Sequence, residues 1–572
     1  MKIQSANAQN RNLLQKQNPS FKAGKLNILA TSDNHGNLLT LPQVEKTIHS
    51  NKLQIFSESN KPSTLNIFAV AGDFFINPSK RGFLTKKNST NGEIQAGFLS
   101  RLINSVKTAC GLKSNFDTVY ALGNHCLDGG DKFIMNTLHK QPLTTLVTNV
   151  NLEKSPTVTS LMEQENSNIV KSKIYEIEDD KNPNLKHHAL FLGVTIPSMD
   201  FYNPGLLKGM EFYDNSNKKD SYLKEENLTK TFECVDQQVK EFKEKYPKGA
   251  VILLSHTGNP ISKLIRKHVP NINIILNGHD HLTSSYHEGK SAIYSLGKDN
   301  EILRSLSLNF NDKGDLESIS ENSYFPLRVD MKDGEVSPMK NFLKENFEKD
   351  LEPIVSLSDV SGEIDSLNYS DGIRYSNSYL ANYLTSALKR SVKKIHPSID
   401  SVAIQSSIIR GPIKNGANNL DLMKIFDGVS EDLATVKVGK VSADELSGLI
   451  TENVLANLDS PTRNTLIQWS DFQIDRTLME QIKNGSSDKD YMDAIKFKDP
   501  ISREFIPLDK NKNYEILLPD KYLLKNDIKY PSIIRNKFQP LNGTYDSFFK
   551  QYLDEIDYDI RVTAKTKEKR IL

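Results

Sequence analysis

The chain has 572 residues, of which 37% are hydrophobic and 25% charged, with a mean hydropathy of −0.49. This is an ordinary globular composition with length for two to four domains, and a net charge of +2 argues against a nucleic-acid or membrane surface built on bulk charge. The cysteines Cys110, Cys126 and Cys234 form neither a CxxC motif nor a disulfide framework, which fits a reducing compartment or buried thiols, and no apolar run is long enough to span a bilayer.

Residues 1–24 are rich in Asn, Gln and Lys and lack the 7–15-residue apolar core of a signal peptide, so a disordered lead-in is expected. Lys25 to Ser32 reads as a first strand ending in Asp33-Asn34-His35-Gly36. A helical stretch from Leu41 to Phe56 follows, then a strand from Leu65 to Ala71 ending in Gly72-Asp73. After a helix over Glu93 to Ala109, Thr118 to Leu122 is a third strand, ending in Gly123-Asn124-His125. Val251 to Ser255 ends in His256, and Ile272 to Asn277 ends in Gly278-His279-Asp280-His281. Ala292 to about Phe325 reads as further strands. Residues 326–358 are expected to form a linker with a helix over Pro338 to Asp350. A second domain over 359–572 opens with a helix from Ser376 to Lys394. There is no internal repeat and no long low-complexity tract.

Five apolar runs thus each close on residues able to bind a metal, the alternation expected of an α/β domain with its chemistry along one strand edge. Asp33, His35, Asp73, Asn124, His256, His279 and His281 supply oxygen and nitrogen donors without a thiolate, which disfavours a structural zinc site. Such donors suit a pair of Mn, Fe, Zn or Co ions, which at roughly 3.5–4 Å apart can clamp an in-line displacement. Two divalent ions against two aspartates and a hydroxide leave net positive charge, and a phosphate ester fits that remainder.

The ordered series Asp33-x-His35, Gly72-Asp73, Gly123-Asn124-His125, His256 and Gly278-His279-x-His281 resembles the calcineurin-like metallophosphoesterases. The spacing of His125 and Asp128, with a large second domain, looks like the 5′-nucleotidases within that superfamily. The resemblance implies an α/β (α+β) fold: a four-layer β-sandwich flanked by helices over 25–325, and a smaller α/β C-terminal 5′-nucleotidase-type domain over 359–572 that binds substrate. It implies two divalent metal ions, one held by Asp33, His35, Asp73 and His281 and the other by Asp73, Asn124, His256 and His279, with a bridging hydroxide as nucleophile. His125 would stabilise charge or protonate the leaving oxygen, and Asp128 would fix its ring. The family usually has Glu and Phe where this chain has Cys126 and Leu127. In the second domain Arg410 would meet phosphate or ribose, and Asn124 would also touch substrate. Tyr530 stands where a base-stacking aromatic is expected, and Phe426-Asp427-Gly428 replaces the family's Leu-Pro-Phe. Base recognition is therefore the altered part.

Beside these readings stand plainer ones. His49, His139, His187, His188, His268, His287 and His396 fall outside the constellation and read as surface or packing residues. Cys126 reads as buried filler, Trp469 as core, and Phe426 and Tyr530 as core more often than stacking. The expected activity is phosphomonoester hydrolysis on a nucleotide. The alternatives are a 2′,3′-cyclic nucleotide phosphodiesterase, a UDP-sugar hydrolase with the same site, or a non-catalytic ligand-binding relative. A small-molecule partner is expected, without nucleic acid or a membrane span. The lack of a recognisable signal peptide points to the cytoplasm, whereas the resemblance makes a periplasmic or extracellular location the alternative.

Overall fold

A computed structural model of the chain describes residues 24–35, 37, 40–49, 62–74, 97, 99–101, 103–104, 116–127, 130–197, 207–214, 224–289, 291–324, 338–359, 366–367, 378–409, 411–426, 435–459, 466–523, 529–562 and 569–572. Asp128, Arg410 and the expected lead-in up to residue 23 lie outside these, as does most of the helix expected over Glu93 to Ala109.

The N-terminal part is built on two facing sheets. In the first, β1 (Gly24–Thr31), β2 (Thr64–Ala71), β3 (Phe116–Ala121), β4 (Thr144–Leu146) and β5 (Ile169–Val170) run parallel in sequence order. The second sheet holds β6 (Ser172–Glu178), β7 (Lys186–Thr195), β8 (Ala250–His256), β9 (Ile274–Asn277), β10 (Thr283–Glu288) and β11 (Ser291–Leu296), in the order β10-β11-β9-β8-β7-β6. Antiparallel β12 (Leu303–Phe310) and β13 (Leu316–Tyr324) complete the first sheet beyond β1.

Side-chain alternation along the strands builds the layers. Leu26, Ile28 and Ala30 of β1 and Ile67, Ala69 and Ala71 of β2 enter one core with Phe191, Ile252, Leu254, Ile274 and Leu276 of the second sheet. The alternate residues, such as Leu29, Phe68 and Val70 or Leu192, Val251 and Leu253, pack outward with helical residues. Ile134 and Leu138 come from the helix Asp131–His139, Val235 and Val239 from Thr229–Lys245, and Ile261 and Ile265 from Gly258–His268. Helices, sheet, sheet and helices make four layers. Strands covered on both faces read as continuous apolar runs, and every residue of β2 is buried.

The C-terminal part has its own sheet, ordered Ile467–Trp469, Ser401–Gln405, Asn513–Pro519, Thr435–Ser442 and Phe538–Thr544. Val402, Ile404 and Leu517 pack with the helices Tyr379–Ile395 and Tyr545–Glu555. Ala403, Ile516 and Leu518 face Leu446, Leu449 and Val454 of the helix Ala443–Asp459 on the other side. Ser378 caps the first of these helices by accepting a hydrogen bond from the Ala381 amide.

The helix read from sequence as part of a linker, Pro338–Phe347, is docked. Leu343 and Phe347 are buried in the N-terminal core, together with Leu420 from the C-terminal part. Just beyond, Asp350 accepts a hydrogen bond from Asn419 at 3.0 Å. Truncating a fully buried leucine costs its transfer free energy plus a cavity. Leu343→Ala is expected to lower unfolding free energy by about 2–5 kcal/mol, measured by denaturant titration.

Candidate functional site

Parallel neighbours in register bring their C-terminal ends to one edge. Thr31 pairs with Val70, Ala71 with Ala121 and Ser255 with Asn277, so the residues that follow these strands converge. The first sheet contributes Asp33, His35, Asp73, Asn124 and His125, and the second contributes His256, His279 and His281. Asp33, His35, Asp73, His279 and His281 all have positive φ, between 47° and 83°. Left-handed backbone is costly for residues with a Cβ and persists where the surroundings impose it.

Glycines permit the close approach. A Cβ on Gly123 would lie 2.0 Å from Asp73 Oδ1, and one on Gly278 would lie 2.1 Å from Ser32 Oγ.

Both carboxylates are buried, Asp33 at 0% and Asp73 at 1% exposure. Protein donors engage one oxygen of Asp73 and chiefly one of Asp33, whose Oδ1 is also reached by the His279 amide at 3.2 Å. Asp33 Oδ2 accepts from Ser32 Oγ at 2.6 Å and from the His279 amide at 3.0 Å. Asp73 Oδ1 accepts from the His125 amide at 2.8 Å and from Cys126 Sγ at 3.8 Å. The other oxygens face imidazoles. Asp33 Oδ1 lies 3.4, 3.8 and 3.9 Å from Nε2 of His281, His35 and His256, and Asp73 Oδ2 lies 3.7 and 2.9 Å from Nε2 of His35 and His256. Asn124 Oδ1 meets His279 Nδ1 at 2.9 Å. The His35 ring is 4.8 Å from that of His281 and 5.6 Å from that of His125.

Among the described residues, three groups could hold a cation, each with donor atoms within 4.8 Å of one another: Asp33, His35 and His281; His35, Asp73 and His125; and Asp33, Asp73 and His256. The Nε2 atoms of His35 and His256 are buried without a hydrogen-bond partner, although His256 Nε2 is near Asp73, while His256 Nδ1 is fixed on the Ala71 carbonyl at 2.7 Å. Buried ring nitrogens aimed at carboxylate oxygens, with the opposite nitrogen on a carbonyl, are how protein-held metals are ligated. The Cys126 thiol is pushed up to about 12 by burial and then by Asp73, so it adds no thiolate. The donor set fits divalent metal.

Charge follows from the crowding. Burial would raise Asp33 and Asp73, but the neighbouring imidazoles, His256 foremost, outweigh it and hold both well below the usual carboxylate range. Burial would lower His256, yet Asp73 and Asp33 raise it to about 9. His279, desolvated and beside His256, falls to about 3. In the metal-free protein the His256 proton stabilises the fold fully below about 6.5, and that stability is lost as pH rises through about 9.

The structure brings together all seven sequence-derived donors and His125. Asp128 and Arg410 lie outside the described residues. Tyr530 is half-buried against Gly448 of the helix Ala443–Asp459, with its amide held by Glu452. Phe426 is a core residue set edge-to-face on Phe549. The sequence reading missed Ser32 and the contact of Cys126 with Asp73. Their positions beside Asp33 and His125 were the available signal. It also missed Asp299, at φ 52°, whose amide donates to the Asp33 carbonyl at 2.8 Å.

Facing sheets with a carboxylate and imidazole cluster on their shared edge are the architecture of metallophosphoesterases. Residues 26–282 match the model of the calcineurin-like phosphoesterase family, a family of phosphoester hydrolases. Among solved structures the chain is similar to a 5′-nucleotidase precursor from Thermus thermophilus, with 15% identity, 96% of this chain and 99% of that one covered, and a TM-score of 0.64. It is also similar to the sulfate thiohydrolase SoxB of the same organism, with 14% identity, 96% of each chain covered and a TM-score of 0.59. Both likenesses are of fold, and they extend through the C-terminal part. No curated protein matches the chain significantly. Among the described residues no helix is long and apolar enough to cross a membrane.

Two outcomes are expected. Gly123→Ala should lose divalent-metal binding while retaining its secondary structure, read by metal analysis beside circular dichroism. Chelator-treated wild-type protein should lose stability between pH 6.5 and 9, and binding of metal there should release protons, read as a dependence of calorimetric enthalpy on the buffer's ionisation enthalpy.

Proposed function

We propose that this protein is a metal-dependent phosphomonoesterase that hydrolyses a nucleotide in the manner of a 5′-nucleotidase. The convergence of Asp33, His35, Asp73, Asn124, His256, His279 and His281, with two buried Nε2 atoms lacking hydrogen-bond partners, carries the reading. Asp33, His35, Asp73 and His281 would hold one divalent ion, and Asp73, Asn124, His256 and His279 the other, with Asp73 common to both. Because Asp73 Oδ1 is already engaged, Oδ2 is the oxygen left for the shared role.

When bound, such ions polarise phosphoryl oxygens and bring the pKa of water to around 7. The chain's own groups do the rest. His125, with its backbone tied to Asp73 and its ring edge-on to His35, would stabilise charge or donate a proton to the leaving alkoxide as a general acid. Asp128 would fix the charged ring, and Arg410 would bind the nucleotide with a planar donor fork. Asn124, held on His279, would orient the phosphate. Tyr530 packs its ring over Gly448 and against the C-terminal core, so the base is left without an assigned aromatic.

Asp73→Asn is expected to reduce Mn²⁺-dependent phosphate release from AMP by more than about 100-fold, because it alters the ligand common to both ions and loss of a residue that only supports a ligand already costs up to about 100-fold. His125→Ala should lower kcat by about 10²–10⁴-fold while metal content is retained. Comparison of AMP with 2′,3′-cyclic AMP and UDP-glucose decides the substrate class. Turnover of either of the latter in preference to AMP overturns the nucleotidase assignment.

A further inference from the structure

Beneath the histidine loops of the second sheet runs a chain of buried polar side chains unused by the chemistry above. Ser262 Oγ donates to Asn277 Oδ1 at 2.7 Å. With that proton committed, Ser255 donates to Ser262 Oγ at 2.9 Å, and Thr257 donates to Ser255 Oγ at 2.8 Å. Asn277 Nδ2 then reaches both oxygens of Asp280 at 3.4 Å, and Asp280 Oδ2 also accepts from the Asn259 amide at 2.7 Å. Ser255, Ser262 and Asn277 are 0% exposed and Thr257 is 2% exposed.

The placement gives this chain a task. Ser255 immediately precedes His256, and Asn277 stands two residues before His279. These two residues are paired across β8 and β9, and the Gly278 amide donates to the Ser255 carbonyl at 2.9 Å. Ser262 projects from the following helix, Gly258–His268, and joins their side chains. The rings of His256 and His279 lie 5.4 Å apart. Ser262 is six residues from His256 and seventeen from His279.

The geometry points to Ser262 as a positioning residue that sets the spacing of His256 and His279 for metal binding through the relay Thr257–Ser255–Ser262–Asn277–Asp280. This deepens the metal-dependent reading and rests on it. Removal of the Ser262 hydroxyl strands a donor on Ser255 and an acceptor on Asn277 where water does not reach, and buried polar groups left unpaired drive local rearrangement. Supporting residues of this kind usually change metal affinity by about 10–100-fold.

The test is Mn²⁺ titration of chelator-treated full-length protein by calorimetry, with melting temperature measured in parallel. Ser262→Ala is expected to weaken Mn²⁺ binding about 10-fold or more. Thr231→Val removes another fully buried hydroxyl, one without a hydrogen-bond partner, and should leave the affinity unchanged. If Ser262→Ala melts earlier yet binds Mn²⁺ as the wild type does, the role is structural and the inference is overturned. Should Ser262→Ala not fold, Ser262→Cys retains a weaker donor of similar size; an intermediate loss supports the inference and wild-type affinity overturns it. A wild-type chain that binds no Mn²⁺ overturns the metal-dependent reading instead, so the two failures are distinguishable.

Discussion

Two carboxylates buried side by side at the meeting edge of two sheets constrain the rest of this structure. Isolated buried anions are costly, so Asp33 and Asp73 must be surrounded by donors and positive charge. Ser32, the His125 and His279 amides and the Cys126 thiol satisfy one side of the pair. The His35, His256 and His281 rings crowd the other. Left-handed backbone at five of these positions is what that crowding requires, and the sandwich holds it in place.

The division of labour between the two parts follows the same logic. Among the described residues, the donors and rings that surround these anions come from residues 24–324. The C-terminal part, whose separate sheet is covered by helices on both faces, is free of that demand. The helix Pro338–Phe347 is anchored in the first core, so the connection to the C-terminal part begins from a fixed point.

Much of the N-terminal architecture was legible because fully covered strands are apolar throughout and each ended on a conspicuous polar residue. The runs before Asp33, Asp73, Asn124, His256 and His279 announced themselves this way. β7 was not singled out, although Lys186–Thr195 is one of the longest strands described; it ends on Thr195, which offers no such signal. The short β4 and β5 carry too little periodicity to stand out. The helix Pro338–Phe347 was found, but its burial depends on partners far away in sequence, including Leu420, and local pattern does not report them. Cys126 was read as filler and is buried as expected, but its contact with Asp73 is tertiary. Tyr530 shows the limit in the C-terminal part: an aromatic in a blurred motif does not reveal that its ring lies over Gly448.

The donors come from both layers of the sandwich. Asp33, His35, Asp73 and Asn124 belong to one sheet, and His256, His279 and His281 to the other. A cation held there is a rivet through two plates, added to their apolar contact and to cross-sheet hydrogen bonds such as His256 Nδ1 to the Ala71 carbonyl. Its binding free energy then counts toward cohesion of the layers as well as toward chemistry, and the supply of metal in a cell becomes part of what keeps this half of the protein assembled.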